Sequence, residues 1–183
     1  MKELSLNVLD VTENSVKAGA KNIDVFLIED ENGILTLTIG DNGCGMTPEV
    51  VKSVIDPFYT TRTTRKVGLG VPLLKMAAEQ TGGSIDIKSE VGVGTTVTAT
   101  FDTKSIDFTP IGDMVATMTT LIMGAPEIDF LYLHTTPVGE VKLDTRELRA
   151  VLGDNVSLDS FEVVEWMRGY LTEQYEILGG IKK

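Results

Sequence analysis

Apolar residues recur along this chain in two periods, and the switch between them lays out the elements. Leu4, Val8, Val11 and Ser15 fall at helical spacing over 3–18, and Gly19 stands where such a helix would stop. Residues 22–29 (NIDVFLIE) and 34–40 (ILTLTIG) alternate apolar and polar positions as half-buried strands do, and DENG between them supplies a hairpin turn. Thr47-Pro48 reads as the N-cap and first residue of a helix over 48–55. Residues 56–68 are polar and basic without periodicity, which predicts a loop. A helix is expected over 69–81, stopped by Gly82-Gly83, and then two strands, 84–90 and 95–102, joined by VGVG. This order predicts an α+β fold: a two-layer α/β sandwich whose mixed, mostly antiparallel sheet carries helices on one face.

A polar stretch ending at Pro110 marks a boundary near 103–110, dividing the chain into 1–105 and a small α/β C-terminal extension, 106–183. In the extension, 111–123 reads as a helix, 128–135 and 138–143 as a hairpin, and 144–152 and 159–178 as helices. Asp144-Thr145 and Ser157 to Ser160 supply the caps for the last two. Trp166, Met167, Tyr170 and Leu171 lie at helical spacing there, a stripe suited to packing on its own domain or to a homodimer contact.

Composition narrows the class. A chain of 183 residues buries enough surface to fold without a disulfide or metal staple. Its one cysteine, Cys44, forms no internal bridge, and a reducing, cytoplasmic setting is expected. No apolar run reaches the ~18 residues of a membrane span, and the N-terminus lacks a signal-peptide pattern. The net charge of −11 argues against nucleic acid, whose affinity comes from neutralising phosphates. Residues 106–183 hold 6 basic and 13 acidic side chains, so that surface is expected to be solvated or to face another protein.

Four groups of residues carry candidate chemistry. Asp10 and Asn14 lie one helical turn apart, with Lys17 further along the same face. The two oxygens suit a hydrated Mg²⁺ and the ammonium a phosphate, although a solvated helix face has the same look. In DNGCGM (41–46), Asp41 offers acceptors to an exocyclic amine, and Gly43 and Gly45 are expected to take positive φ and let the backbone approach a flat ligand. A plain glycine turn is the competing reading. Arg62, Arg65 and Lys66 precede Gly68, Leu69 and Gly70 at a helix start, an arrangement suited to an anion and to a lid over phosphates. In GVGTT, Thr95 could offer a hydroxyl, or the segment could be only a β-turn.

Together these pieces resemble the Bergerat-type ATP-binding fold of gyrases, heat-shock chaperones, histidine kinases and mismatch-repair ATPases. DVTENSVKAGAKNIDV resembles the N box, DNGCGM the first glycine box, DPFYTTR the F box of sensor histidine kinases, and VGLGVPLLKMAAEQTGGSIDIKSEVGVGTTVTATF the second and third glycine boxes. The resemblance spans about 10–102. It implies ATP and Mg²⁺ as ligands, with Asn14 chelating the metal beside Asp10 and Asp41 reading adenine. Lys17, Gly43, Gly45, Met46, Arg62, Lys66, Gly68, Leu69, Gly70 and Thr95 would complete the nucleotide site.

Three departures shape the expected function. Asp10 stands where hydrolysing relatives have a glutamate base and histidine kinases usually an asparagine. An aspartate is one methylene shorter, so slow hydrolysis at most is expected. Lys66 replaces the usual first glycine of the second box. No phosphoacceptor histidine precedes the N box, and His134, the only histidine, reads as a strand residue. The expectation is therefore an ATP-dependent protein kinase or weak ATPase resembling a histidine-kinase catalytic domain, with a protein partner or phosphoacceptor supplied in trans or through a phosphorelay. The alternative is a nucleotide-gated protein-interaction module with slow or no hydrolysis.

Overall fold

The computed structural model describes residues 3–56 and 69–179. The strands are β1 (Asn22–Glu29), β2 (Ile34–Asp41), β3 (Ile85–Glu90), β4 (Gly94–Asp102), β5 (Asp129–Thr136) and β6 (Gly139–Asp144). They form one sheet in the order β3-β4-β2-β1-β5-β6. Each neighbouring pair is antiparallel except β1–β5, which is parallel. The helices are α1 (Leu4–Lys17), α2 (Pro48–Ile55), α3 (Gly70–Gln80), α4 (Met114–Gly124), α5 (Thr145–Leu152) and α6 (Phe161–Ile177). This is the expected α+β sandwich. Element ends move by a residue or so, and most at α4, which starts at Met114 rather than 111. The reason is Asp113, whose carboxylate accepts from the Ala116 amide at 2.9 Å and caps the helix.

Strand alternation decides which face is covered. Ile23, Val25 and Leu27 of β1 are buried, and the register sets Val25 beside Ile39 and Leu27 beside Leu37 of β2. Across the parallel pair the same three residues meet Phe130, Tyr132 and His134. The α1 stripe of Leu4, Val8 and Val11 is buried with them; each such side chain contributes roughly 1.5–3 kcal/mol. The opposite face carries Asp24, Phe26, Thr36, Thr38, Thr98 and Thr100, all only partly covered.

The two ends of α1 are held by different parts of the chain. Its N-cap residue, Glu3, makes no side-chain capping bond. Instead the amides of Leu4 and Ser5 donate to the carbonyls of Pro110 and Ile111, both at 2.8 Å. Residues 106–179 thus add two strands and three helices to the same layers. On α6 the predicted stripe divides. Met167 and Leu171 are fully buried, while Trp166 is half exposed and stacks on Tyr170 with ring centroids 5.1 Å apart. Ser160 stands at the N-cap of α6 but makes no capping bond, whereas Thr47 and Asp144 cap α2 and α5 as expected.

Beyond β2 the chain turns through 41–46, stitched on both sides. The Asn42 side-chain oxygen accepts from the amides of Lys21 and Asn22 at 2.8 and 2.9 Å. The Cys44 amide donates to the Ala18 carbonyl and the Gly92 amide to the Cys44 carbonyl. Gly45 has φ 71° and lies so close to β3 that a Cβ there would stand 1.9 Å from the Glu90 carbonyl oxygen. Gly43, expected to share the positive φ, does not; its need for glycine is contact, since a Cβ would meet that of Ala18 at 2.8 Å.

His134 is packed rather than presented. It is 2% exposed, and its Nδ1 lies 2.8 Å from the Tyr175 hydroxyl, which also bonds to the Tyr132 hydroxyl. Nε2 is buried without a partner among the described residues. Burial lowers its pKa to about 4, because a second ring N–H would have no acceptor.

Two outcomes are expected. The unfolded chain takes up a proton near pH 6.5 that the folded chain refuses until about pH 4, so stability falls as pH drops through that window. At pH 4.5 the loss is about 2.5 kcal/mol relative to pH 7.5. Denaturant unfolding of wild type and His134→Phe at both pH values measures it: the variant should lack that increment. In the same assay Gly45→Ala should cost about 3 kcal/mol or more through clash and strain, and Gly19→Ala only about 1 kcal/mol. Gly19 has φ 76° but open space around it.

Candidate functional site

The seam between α1 and the ends of β2, β3 and β4 encloses a cavity of about 150 Å³. Val11, Met46, Val54, Val71, Ile87 and Val97 give it apolar walls, and Asn14, Ser15, Lys17, Asp41 and Thr95 supply its polar groups. Strand pairing creates this mixture. Asp41 is opposite Thr95, and Thr95 opposite Ser89, on the helix-covered face. Asp41 ends β2 where the apolar alternation gives out, so a carboxylate faces the helix layer at the sheet's rim.

That carboxylate is held from two sides. Ser15 Oγ donates to Oδ2 at 2.5 Å, and the Gly43 amide donates to Oδ1 at 2.9 Å. A carboxylate has roughly four lone-pair positions, so each oxygen keeps capacity for a further donor. Ser89 plays a similar part on the opposite wall. Its hydroxyl accepts from the Met46 amide at 2.8 Å and lies 2.8 Å from Thr95 Oγ1. Ser15 and Ser89 were missed as site residues in the sequence. Each is a polar residue at an inward position of an otherwise apolar stripe, a pattern that marks the position without naming its partner.

The structure gathers some of the expected residues and separates others. Asn14, Lys17, Asp41, Gly45, Met46 and Thr95 line the cavity. Asp10, Gly43, Leu69 and Gly70 do not, although Gly43 holds Asp41 and Gly70 packs on Asp10, where an added Cβ would stand 3.1 Å from the Asp10 Cβ. The start of α3, which no side chain among the described residues caps, therefore abuts the α1 turn that precedes Asn14. Among the described residues, the Asp10 carboxylate, the Asn14 amide and the Lys17 ammonium have no hydrogen-bond or ion-pair partner, while Glu13 is exposed on another side of α1. Arg62, Arg65, Lys66 and Gly68 lie outside the described residues, as does most of DPFYTTR. Cys44 is an exposed free thiol at the cavity wall.

No helix among the described residues is long and apolar enough to cross a membrane. The Staphylococcus aureus sensor protein SrrB is 39% identical to this chain over 101 residues, in strain NCTC 8325 / PS 47 and equally in strain COL. The match takes in 52% of this chain and only 17% of that protein, so this chain spans a small part of the curated relatives it matches. Among solved structures, the ATPase domain of Aquifex aeolicus MutL complexed with ADP superposes with a TM-score of 0.51 at 14% identity, covering 100% of this chain and 99% of that one. The N-terminal domain of a DNA repair protein does so with a TM-score of 0.51 at 17% identity, covering 79% and 52%. At these identities the two structures speak for the fold alone. Residues 2–105 match the model of the histidine kinase-, DNA gyrase B- and HSP90-like ATPase family, and with more than half of its length so matched, the chain belongs to that family.

Proposed function

We propose that this chain binds Mg-ATP in the α1–sheet cavity and serves a phosphotransfer or signalling protein whose acceptor is a separate polypeptide. The observation that carries the reading is the Asp41 carboxylate, fixed by Ser15 and the Gly43 amide at the rim of an apolar slot. Apolar walls suit a flat heteroaromatic ring, and a carboxylate with spare acceptor capacity suits its exocyclic amine. A cavity of about 150 Å³ holds the base only. Sugar and phosphates would run outward past Asn14 and Lys17.

The metal fits the residues on offer. Asp10 and Asn14 stand one turn apart and make no other side-chain bond among the described residues, and Mg²⁺ takes one or two protein oxygens and fills its shell with water and phosphate. When bound it would neutralise charge on the phosphates. Lys17 adds an ammonium from the same helix face, and the start of α3, whose N-cap residue Leu69 makes no side-chain cap, would add backbone amides. Arg62, Lys66 and Gly68, adjoining Leu69 and Gly70, are our proposed lid over the phosphates. Asp10, placed against Gly70, is the proposed base for a slow hydrolysis.

One observation favours the second reading, a nucleotide-gated interaction module. α1 carries Asn14 and is bonded at its N-terminus to residues 110–111, and β5 pairs directly with β1. A nucleotide-dependent shift of α1 would thus bear on the acidic C-terminal part without any net chemistry.

Calorimetric titration tests the site. ATP with Mg²⁺ should bind wild type, Asp41→Asn should weaken binding about 30-fold or more, and Ser15→Ala about fivefold. Absence of ATP binding by wild type would overturn the proposal. Incubation with γ-labelled ATP then separates the two readings. Slow phosphate release that falls about tenfold in Asp10→Asn assigns the base; equal and brisk turnover by both proteins removes Asp10 from that role. Label on a partner protein marks a kinase, and nucleotide-dependent capture of that partner without label marks a gate.

A further inference from the structure

A large cavity lies away from the proposed nucleotide site, at the β6 edge of the sheet. It is a groove of about 740 Å³ between α5 and α6, floored by Leu143. Leu148 and Leu152 of α5 face it from one side, and Val163, Trp166 and Tyr170 of α6 from the other. These are helical spacings of four, and of three and four, so each helix turns a complete apolar stripe toward the groove. On a monomer such stripes normally close on each other. Here the groove stays open, and Val151, Val156 and Trp166 at its lips are 84, 40 and 51% exposed. A contiguous apolar patch with a half-exposed, stacked tryptophan marks an interaction site rather than scattered surface apolarity.

Charge says what kind of partner fits. Among the described residues, the basic side chains of β6, α5 and α6 are already committed. Lys142 pairs with Glu147 at 3.3 Å, Arg146 with Asp144 at 3.0 Å, Arg149 with Asp129 at 2.9 Å and Arg168 with Glu165 at 2.9 Å. Asp154, Asp159 and Glu162 are exposed on the connection and first turn beside the groove and have no such partner among the described residues. A second copy of this chain would bring the same uncompensated carboxylates to the contact, and like charges oppose that pairing. A small ligand would need several convergent polar groups, whereas Lys142, Asp144 and Glu147 are bonded to one another or to Arg146, which leaves it the exposed Glu162 and the buried Ser160 hydroxyl among the described lining residues.

We propose that this groove docks a basic amphipathic helix of a partner protein, with apolar anchors on the Trp166–Val151 lips and Lys or Arg against Asp154, Asp159 and Glu162. Residues 160–170 offer about 15 Å of lining helix, enough for three turns of such a segment. This binding uses no residue of the nucleotide cavity and stands whether or not ATP binds.

Trp166 is the only tryptophan in the chain, so its emission reports on the groove alone. The probe is a synthetic peptide of about 18 residues with leucine at i, i+3, i+4, i+7 spacing and lysine elsewhere. Its controls are a scrambled peptide of identical charge and a leucine–glutamate counterpart. The lysine peptide should shift the emission saturably, at least about tenfold more tightly than either control. Val151→Asp should weaken it about tenfold although it makes the protein more acidic, and Asp159→Asn with Glu162→Gln should weaken it several-fold and flatten its salt dependence. Val156→Asp serves the same purpose if Val151→Asp unfolds by circular dichroism. Equal binding of the scrambled or glutamate peptide overturns the proposal, as does indifference to the lip substitutions. Sedimentation showing a wild-type dimer that Val151→Asp dissociates overturns it in favour of self-association.

Discussion

The hydrogen bond from Ser15 to Asp41 joins the helix layer to the sheet layer at the polar rim of the cavity. It exists only because several independent choices agree. Asp41 must end β2 on the covered face, and a one-residue slip in register would turn it to the open face beside Thr38 and Thr98. Ser15 must follow the apolar stripe of α1 into that rim. The chain beyond Asp41 must then turn sharply enough for the Gly43 amide to come back onto the same carboxylate. The contacts of Gly43 with Ala18 and of Gly45 with Glu90 are what that turn demands of the backbone.

α1 is therefore the element on which the two parts of the chain meet. Its C-terminal end is tied to the glycine turn through the Ala18 carbonyl, and its first amides are satisfied by the carbonyls of residues 110 and 111. A helix leaves its first four amides unpaired, and burying them without partners costs about 1–3 kcal/mol each. Residues 110–111 meet part of that need, so the C-terminal part contributes to the geometry of a site it does not line. Thr117 of α4 adds a bond to the Ser5 carbonyl at 3.2 Å.

Local features were the legible ones. The strands of 22–41 and 84–102, the Thr47-Pro48 helix start and the four glycine and asparagine boxes depend on residues near one another in sequence, and periodicity or motif spacing records them. What could not be read depends on pairing across the chain. Nothing in DFLYLHTT says that it lies parallel beside β1 rather than in a separate hairpin, because its alternation would suit either place. The roles of Ser15 and Ser89 were likewise hidden: a serine in an apolar stripe looks like a tolerated small residue until its partner 26 or 6 positions away is known. His134 gave no clue to the two tyrosines that enclose it, since Tyr175 comes from a helix 41 residues further on.

The placement of charge follows from the same strand order. An acidic chain with a net charge of −11 is a poor host for a polyanion unless its carboxylates are kept away from the binding end. The cavity contains one, Asp41, turned toward Ser15 and the Gly43 amide, with Lys17 on the helix beside it. Asp154, Asp159 and Glu162, without an ion-pair partner among the described residues, belong to the β6 edge. From β2 to β6 the sheet takes three strand spacings, about 14 Å. That exceeds the Debye length of about 8 Å at physiological salt, so carboxylates at one edge are largely screened from an anion at the other. Inserting β1 and β5 between the two regions lets a single small sheet carry the proposed nucleotide end and an acidic end, each with its own electrostatic character.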